Sequence, residues 1–125
     1  MASILIVSGK SKGDYHPLTE GLFLVGREET CDIQVLDEMV SRKHMELRCD
    51  PGHNDFKVAD LDSANGVFVN GTRISGEAAL ADEDAIKIGE TKLYFTHKDF
   101  LGSEEAFAHM AIKKRGERGK STLIQ

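Results

Sequence analysis

Apolar residues in this chain fall in short runs: Ile4–Val7, Leu22–Val25, Ile33–Val35, His44–Leu47, Phe56–Val58, Val67–Val69, Ala85–Ile88 and Lys92–Thr96. Phe56-Lys57-Val58 and Val67-Phe68-Val69 show the period of two that sends successive side chains to opposite faces of a strand. Between the runs lie turn-forming residues that tolerate positive φ, as in Asp50-Pro51-Gly52-His53-Asn54-Asp55, Asn65-Gly66 and Asn70-Gly71. Many short strands punctuated this way predict an all-β antiparallel sandwich or barrel. Helical patterning comes only late, where Ser103 is placed to cap a segment starting Glu104-Glu105-Ala106 and carrying Phe107, Met110 and Ala111, with Gly116 as its stop. Beyond it, residues 121–125 are expected to hang free as a flexible tail.

Length adds that one core is expected, because 125 residues with 40% apolar and 30% charged side chains suit a single globular domain. Charge changes the picture further. The formal net charge is −5, yet residues 99–125 hold Lys113, Lys114, Arg115, Arg118 and Lys120 against Asp99, Glu104, Glu105 and Glu117, so the part before them carries −6. Such a body repels nucleic acid, and three adjacent cations with few apolar anchors do not make a membrane-binding helix. The first apolar stretch is too short for a signal-peptide core or a membrane span, so a cytoplasmic protein is expected, with Cys31 and Cys49 as buried free thiols.

Three polar loops carry the candidate chemistry. In the first, Arg27 follows Gly26 at a strand end, where a guanidinium fork can grip phosphate or carboxylate oxygens. The second offers a hydroxyl, a guanidinium, an ammonium and an imidazole in Ser41-Arg42-Lys43-His44. The third sets the Asn65 amide, donor and acceptor at once, beside Gly66, where it can clamp the main chain of an extended peptide.

The ordered set Gly26-Arg27, Asp32-Ile33, Val40-Ser41-Arg42-Lys43-His44 and Asp60-Leu61-Asp62-Ser63-Ala64-Asn65-Gly66 resembles the forkhead-associated (FHA) domain family over residues 3–98. The resemblance implies an eleven-stranded antiparallel β-sandwich, which gives a domain over residues 1–98, and the late helical pattern and basic tail occupy 99–125. It implies a non-catalytic signalling module that binds phosphothreonine peptides at loops on one end. Arg27 and Ser41 would hold the phosphate, Arg42 would add a contact, and Asn65 would bond the peptide backbone. Gly26, His44 and Gly66 would brace the loops. The implied partner is a phosphothreonine-bearing protein, a Ser/Thr kinase or its substrate, with no cofactor. Two positions depart from the family: Val67 stands where threonine is common, and Ala64 where relatives often offer a side chain to the phosphate. Val67 is expected to alter how the third loop is anchored rather than to abolish binding.

Other chemistries lack parts. A serine hydrolase built on Ser41 and His44 needs a third orienting group and an oxyanion hole that the sequence does not supply. Asp82-Glu83-Asp84 has no calcium-loop pattern, and Cys31, Cys49, His44 and His53 lack the close cysteine pair of structural zinc, so no metal is expected. Gly119-Lys120-Ser121-Thr122 ends like a P-loop, but Lys114 replaces the required first glycine. Arg118 and Lys120 instead mark Thr122 as a candidate phosphosite, whose phosphorylated form would occupy the loop site of its own domain or a neighbour's. A solvated end is the plainer reading of the same tail. The rival to phosphate reading is a scaffold whose binding ignores phosphate.

Overall fold

A computed structural model describes residues 2–98, 102 and 104–110. Two sheets face each other. One contains β1 (Ala2–Ile6), β2 (Tyr15–Leu18), β7 (Val67–Val69), β8 (Thr72–Arg73), β10 (Ala85–Ile88) and β11 (Thr91–Thr96), in the order β2-β1-β11-β10-β7-β8. The other contains β3 (Gly21–Gly26), β4 (Ile33–Gln34), β5 (Met45–Asp50), β6 (Asp55–Asp60) and β9 (Glu77–Ala79), in the order β4-β3-β5-β6-β9. The FHA-like sandwich of eleven strands expected from the sequence is therefore present among the described residues.

Alternation decides the core. Val25, Met45, Leu47, Cys49, Phe56 and Val58 from one sheet meet Ile4, Ile6, Ile86, Ile88, Leu93 and Phe95 from the other, all buried. The two cysteines are free and buried, and burial pushes the Cys49 thiol up to about 11. On the outer side of the six-stranded sheet a helix, α1, spans 104–110 and packs Ala106, Phe107 and Met110 against Leu5 and Tyr94. That contact buries β1 on both faces. Ser103, Ala111, Gly116 and Thr122 lie outside the described residues. No helix among the described residues is long and apolar enough to cross a membrane.

Three strands carry no strong sequence signal: β2, which contains Pro17, and the short β8 and β9. All three are sheet edges, where few side chains need burying and alternation fades. One pairing differs from the antiparallel expectation, because β3 and β4 run parallel, with Val25 opposite Ile33 and Gly26 opposite Gln34. The loop between them folds back tightly. Asp32 Oδ2 accepts the Leu24 N–H at 2.7 Å, so a side chain fills the edge position and the chain re-enters alongside β3. At the β7–β8 hairpin, Asn70 and Gly71 take φ of 51° and 85°, the left-handed pair expected of a two-residue turn.

Candidate functional site

Antiparallel register brings the three polar loops to one end. Val25 pairs with Met45 and Met45 with Asp60, so the end of β3, the start of β5 and the end of β6 lie side by side. Ile88 pairs with Val67, which brings the β10–β11 turn to the same rim.

Close backbone approach joins the first loop to the second. Arg27 N–H donates to Ser41 O at 3.1 Å and Glu28 N–H to Arg42 O at 3.2 Å. Gly26 makes this possible, since a Cβ there would sit 2.1 Å from Arg42 O. The Cys31 thiol also donates to Arg42 O, at 3.3 Å. Arg27 then reaches along the second loop, where its Nε–H donates to Val40 O at 3.0 Å. That bond tethers the guanidinium through its Nε edge to the residue before Ser41. Among the described residues no carboxylate pairs with Arg27 or Arg42, and both side chains are exposed.

The third loop is tied to the second by four hydrogen bonds, the first from Leu61 N–H to His44 O at 3.0 Å. Ser41 Oγ accepts the Ala64 N–H at 3.0 Å, Asn65 Nδ2 donates to Met39 O at 2.8 Å, and His44 Nε2 lies 2.7 Å from Gly66 O. Because Gly66 O can only accept, His44 carries its proton on Nε2, and its bare Nδ1 accepts the Ser41 N–H at 2.9 Å. His44 is wholly buried. Its ring thus faces the Ser41 backbone rather than the hydroxyl, which is not the geometry of a base activating a nucleophile. Val67 is buried in the core, so the loop's anchoring falls to Ala64, Asn65 and His44 instead of a hydroxyl at position 67.

Sequence patterning missed Asp37. Its Oδ1 accepts the Met39 N–H, and its Oδ2 accepts from Glu90 N–H and the Thr91 hydroxyl, each at 2.8 Å. Desolvation pushes this carboxyl's pKa up, but the hydrogen bonds from Thr91, Met39 and Glu90 outweigh it and leave the group below its ordinary value. Asp37 therefore pins the second loop to the β10–β11 turn. The available signal was the local Asx turn from Asp37 to Met39, a favoured role of aspartate before a loop.

Chemically, the rim gathers donors. Ser41 Oγ has one lone pair engaged by Ala64 and keeps its own proton to donate, Arg27 keeps its two terminal nitrogens, and Asn65 keeps its carbonyl oxygen. A tetrahedral dianion with three acceptor oxygens suits such a set. Among the described residues no group of three or more His, Cys, Asp or Glu side chains could hold a metal ion.

Known proteins agree with this architecture. The chain is 34% identical over 94 residues to the glycogen accumulation regulator GarA of Mycobacterium tuberculosis, covering 75% of this chain and 56% of GarA. It is 31% identical over 105 residues to the oxoglutarate dehydrogenase inhibitor of Corynebacterium jeikeium, covering 84% and 68% respectively. It thus spans little more than half the length of GarA. Among solved structures, the FhaA FHA domain, complexed with the intracellular domain of Rv3910, superposes with a TM-score of 0.68 at 30% identity, over 76% of this chain and 99% of that one. Another structure, solved in a study of phosphothreonine-dependent FHA domain interactions, gives 0.70 at 29% identity, over 79% and 98%. Residues 23–89 match the FHA domain family, a span that holds all three loops, and the chain belongs to that family.

Proposed function

We propose that this chain is a non-catalytic reader of phosphothreonine peptides, with Arg27, Ser41, Arg42 and Asn65 contacting the ligand and Gly26, His44 and Gly66 holding the loops in register. The observation that carries this reading is the Arg27 guanidinium, tethered by Nε to Val40 O and left without an acidic partner among the described residues, in a body of charge −6. An acidic protein that places an unpaired, oriented guanidinium beside a donor-ready serine has built a local anion site against its own field. The ligand lies extended across the rim, its phosphate at Arg27 and Ser41 and its main chain at Asn65. Its source is a phosphorylated Ser/Thr kinase or a kinase substrate.

The test is fluorescence anisotropy with a degenerate phosphothreonine peptide library, its unphosphorylated twin, and the Arg27→Ala variant. Binding should require the phosphate and weaken with salt, and Arg27→Ala should cost roughly 2–5 kcal/mol. Equal binding of both libraries, unchanged by the substitution, would establish instead a scaffold that ignores phosphate.

A further inference from the structure

The outer face of the six-stranded sheet carries a second set of cations that the loop site does not use. Register places four residues in one row across β11, β10, β7 and β8: Lys92 opposite Lys87, Lys87 opposite Phe68, and Phe68 opposite Arg73. Directly paired residues share a face, and the opposite face here holds the buried Ile86, Ile88 and Leu93, so this row points outward. Phe68 is half-buried, and Lys87, Lys92 and Arg73 are exposed. Among the described residues none of the three cations makes an ion pair or a side-chain hydrogen bond. Two lysines directly opposite each other repel, and a fold with net negative charge gains nothing from leaving them unpaired. Phe68, Lys87 and Lys92 also line, with Asn70, Gly71 and Ala85, a concavity of about 500 Å³.

The row is continuous with the loop site. A Cβ at Gly66 would meet the Arg73 guanidinium at 2.6 Å, so Arg73 lies over the glycine that follows Asn65. With strands about 4.8 Å apart, the row spans about 14 Å, the length of roughly four extended residues.

We propose that this row docks an acidic segment of the same phosphorylated partner, a run of carboxylates that passes Arg73 on leaving the loops, crosses Phe68 and ends at Lys87 and Lys92. The inference rests on the phosphothreonine reading of the loop site. Charge complementarity selects the occupant, because a row of three cations, two of them flanking an aromatic ring, suits a short acidic peptide. Both polyanions meet a body of charge −6, but the acidic segment is held beside the row by its phosphothreonine at the loop site, whereas a nucleic acid would need clustered cations across a longer surface.

The experiment uses a phosphothreonine peptide chosen from the library, made with and without a tract of roughly four glutamates, joined on either side through Gly-Ser spacers of graded length that bracket the span. The glutamate tract on one side should tighten binding by about tenfold at low salt, the range of a few exposed ion pairs acting together. The Lys87→Gln/Lys92→Gln variant should bind the short peptide as the parent does and lose most of that gain. Removing like-charge repulsion leaves its fold intact, which its melting temperature checks. Arg27→Ala separates the two claims: binding of the short peptide that survives it refutes the loop-site reading, whatever the lysines do. No gain from the tract on either side, or a gain unaltered in the lysine variant, overturns the docking row. A labelled oligo-dT that binds the parent and not the lysine variant, with no gain from glutamates, assigns the row to nucleic acid and likewise overturns it.

Discussion

Adding a single methyl group at Gly26 would reach the loop site without touching any side chain that contacts ligand. The alanine Cβ would stand 2.1 Å from Arg42 O, 2.8 Å from its carbonyl carbon and 3.0 Å from Lys43 Cα, all of them backbone atoms with no flexible end to swing away. Relief requires β3 and the second loop to part by about 1 Å, since close-packed interiors have no slack to absorb the overlap. That movement strains the bonds from Arg27 N–H to Ser41 O and from Glu28 N–H to Arg42 O. At about 1 kcal/mol for each bond and about 1–3 kcal/mol for overpacking, Gly26→Ala should lose roughly 3–5 kcal/mol of stability. Gly71→Ala is the control: its φ is +85° with nothing within 4 Å, so only left-handed strain of about 1–2 kcal/mol applies. Urea unfolding of both variants measures the difference, and phosphopeptide titration of the folded fraction measures whether Arg27 and Ser41 have moved apart. Equal unfolding midpoints, with the parent's peptide affinity retained by Gly26→Ala, would refute the claim that this glycine sets the spacing of the two loops.

Two further outcomes follow from the same network. His44→Phe fills the buried site but strands the Ser41 N–H and Gly66 O, and should cost about 2–5 kcal/mol in urea unfolding; a loss below about 1 kcal/mol would show that the loops do not depend on the imidazole. Asp37 and Asp82 bind protons less readily folded than unfolded, because hydrogen bonds outweigh their desolvation, those to Asp82 coming from His97 N–H and the Thr96 hydroxyl. Their contribution is therefore full above the unfolded value of about 3.9 and is lost as pH falls through their lower folded values. Melting temperature should drop below about pH 4, and less steeply in Asp37→Asn; parallel profiles for parent and variant would contradict this.

Alternation and turn residues were enough to mark eight of the strands, because those strands bury at least one face and their sequences must show it. The edges β2, β8 and β9 escaped, since a strand held mainly by backbone bonds to one neighbour leaves little trace in side-chain pattern. The same limit applied within the site. Arg27, Ser41, Arg42 and Asn65 stood out as donors in polar loops, and their order carried the family resemblance. Asp37 did not stand out, because its partners Glu90 and Thr91 lie on a distant turn.

By itself, then, the sequence determined the all-β class, the three loops and the donor chemistry they carry, all of which follow from residue type and local spacing. Tertiary structure alone decided which donors remain available. Pairing of strands far apart in the chain turned Ser41's lone pair toward Ala64, fixed the His44 tautomer, and stood Arg27 on Val40 O with its fork outward. It also aligned Lys92, Lys87, Phe68 and Arg73 into one row, a juxtaposition that exists only in the sheet's register. Spacing along a chain specifies neighbours within a strand, whereas neighbours across strands are set by hydrogen-bond register, which depends on the burial of the whole sheet.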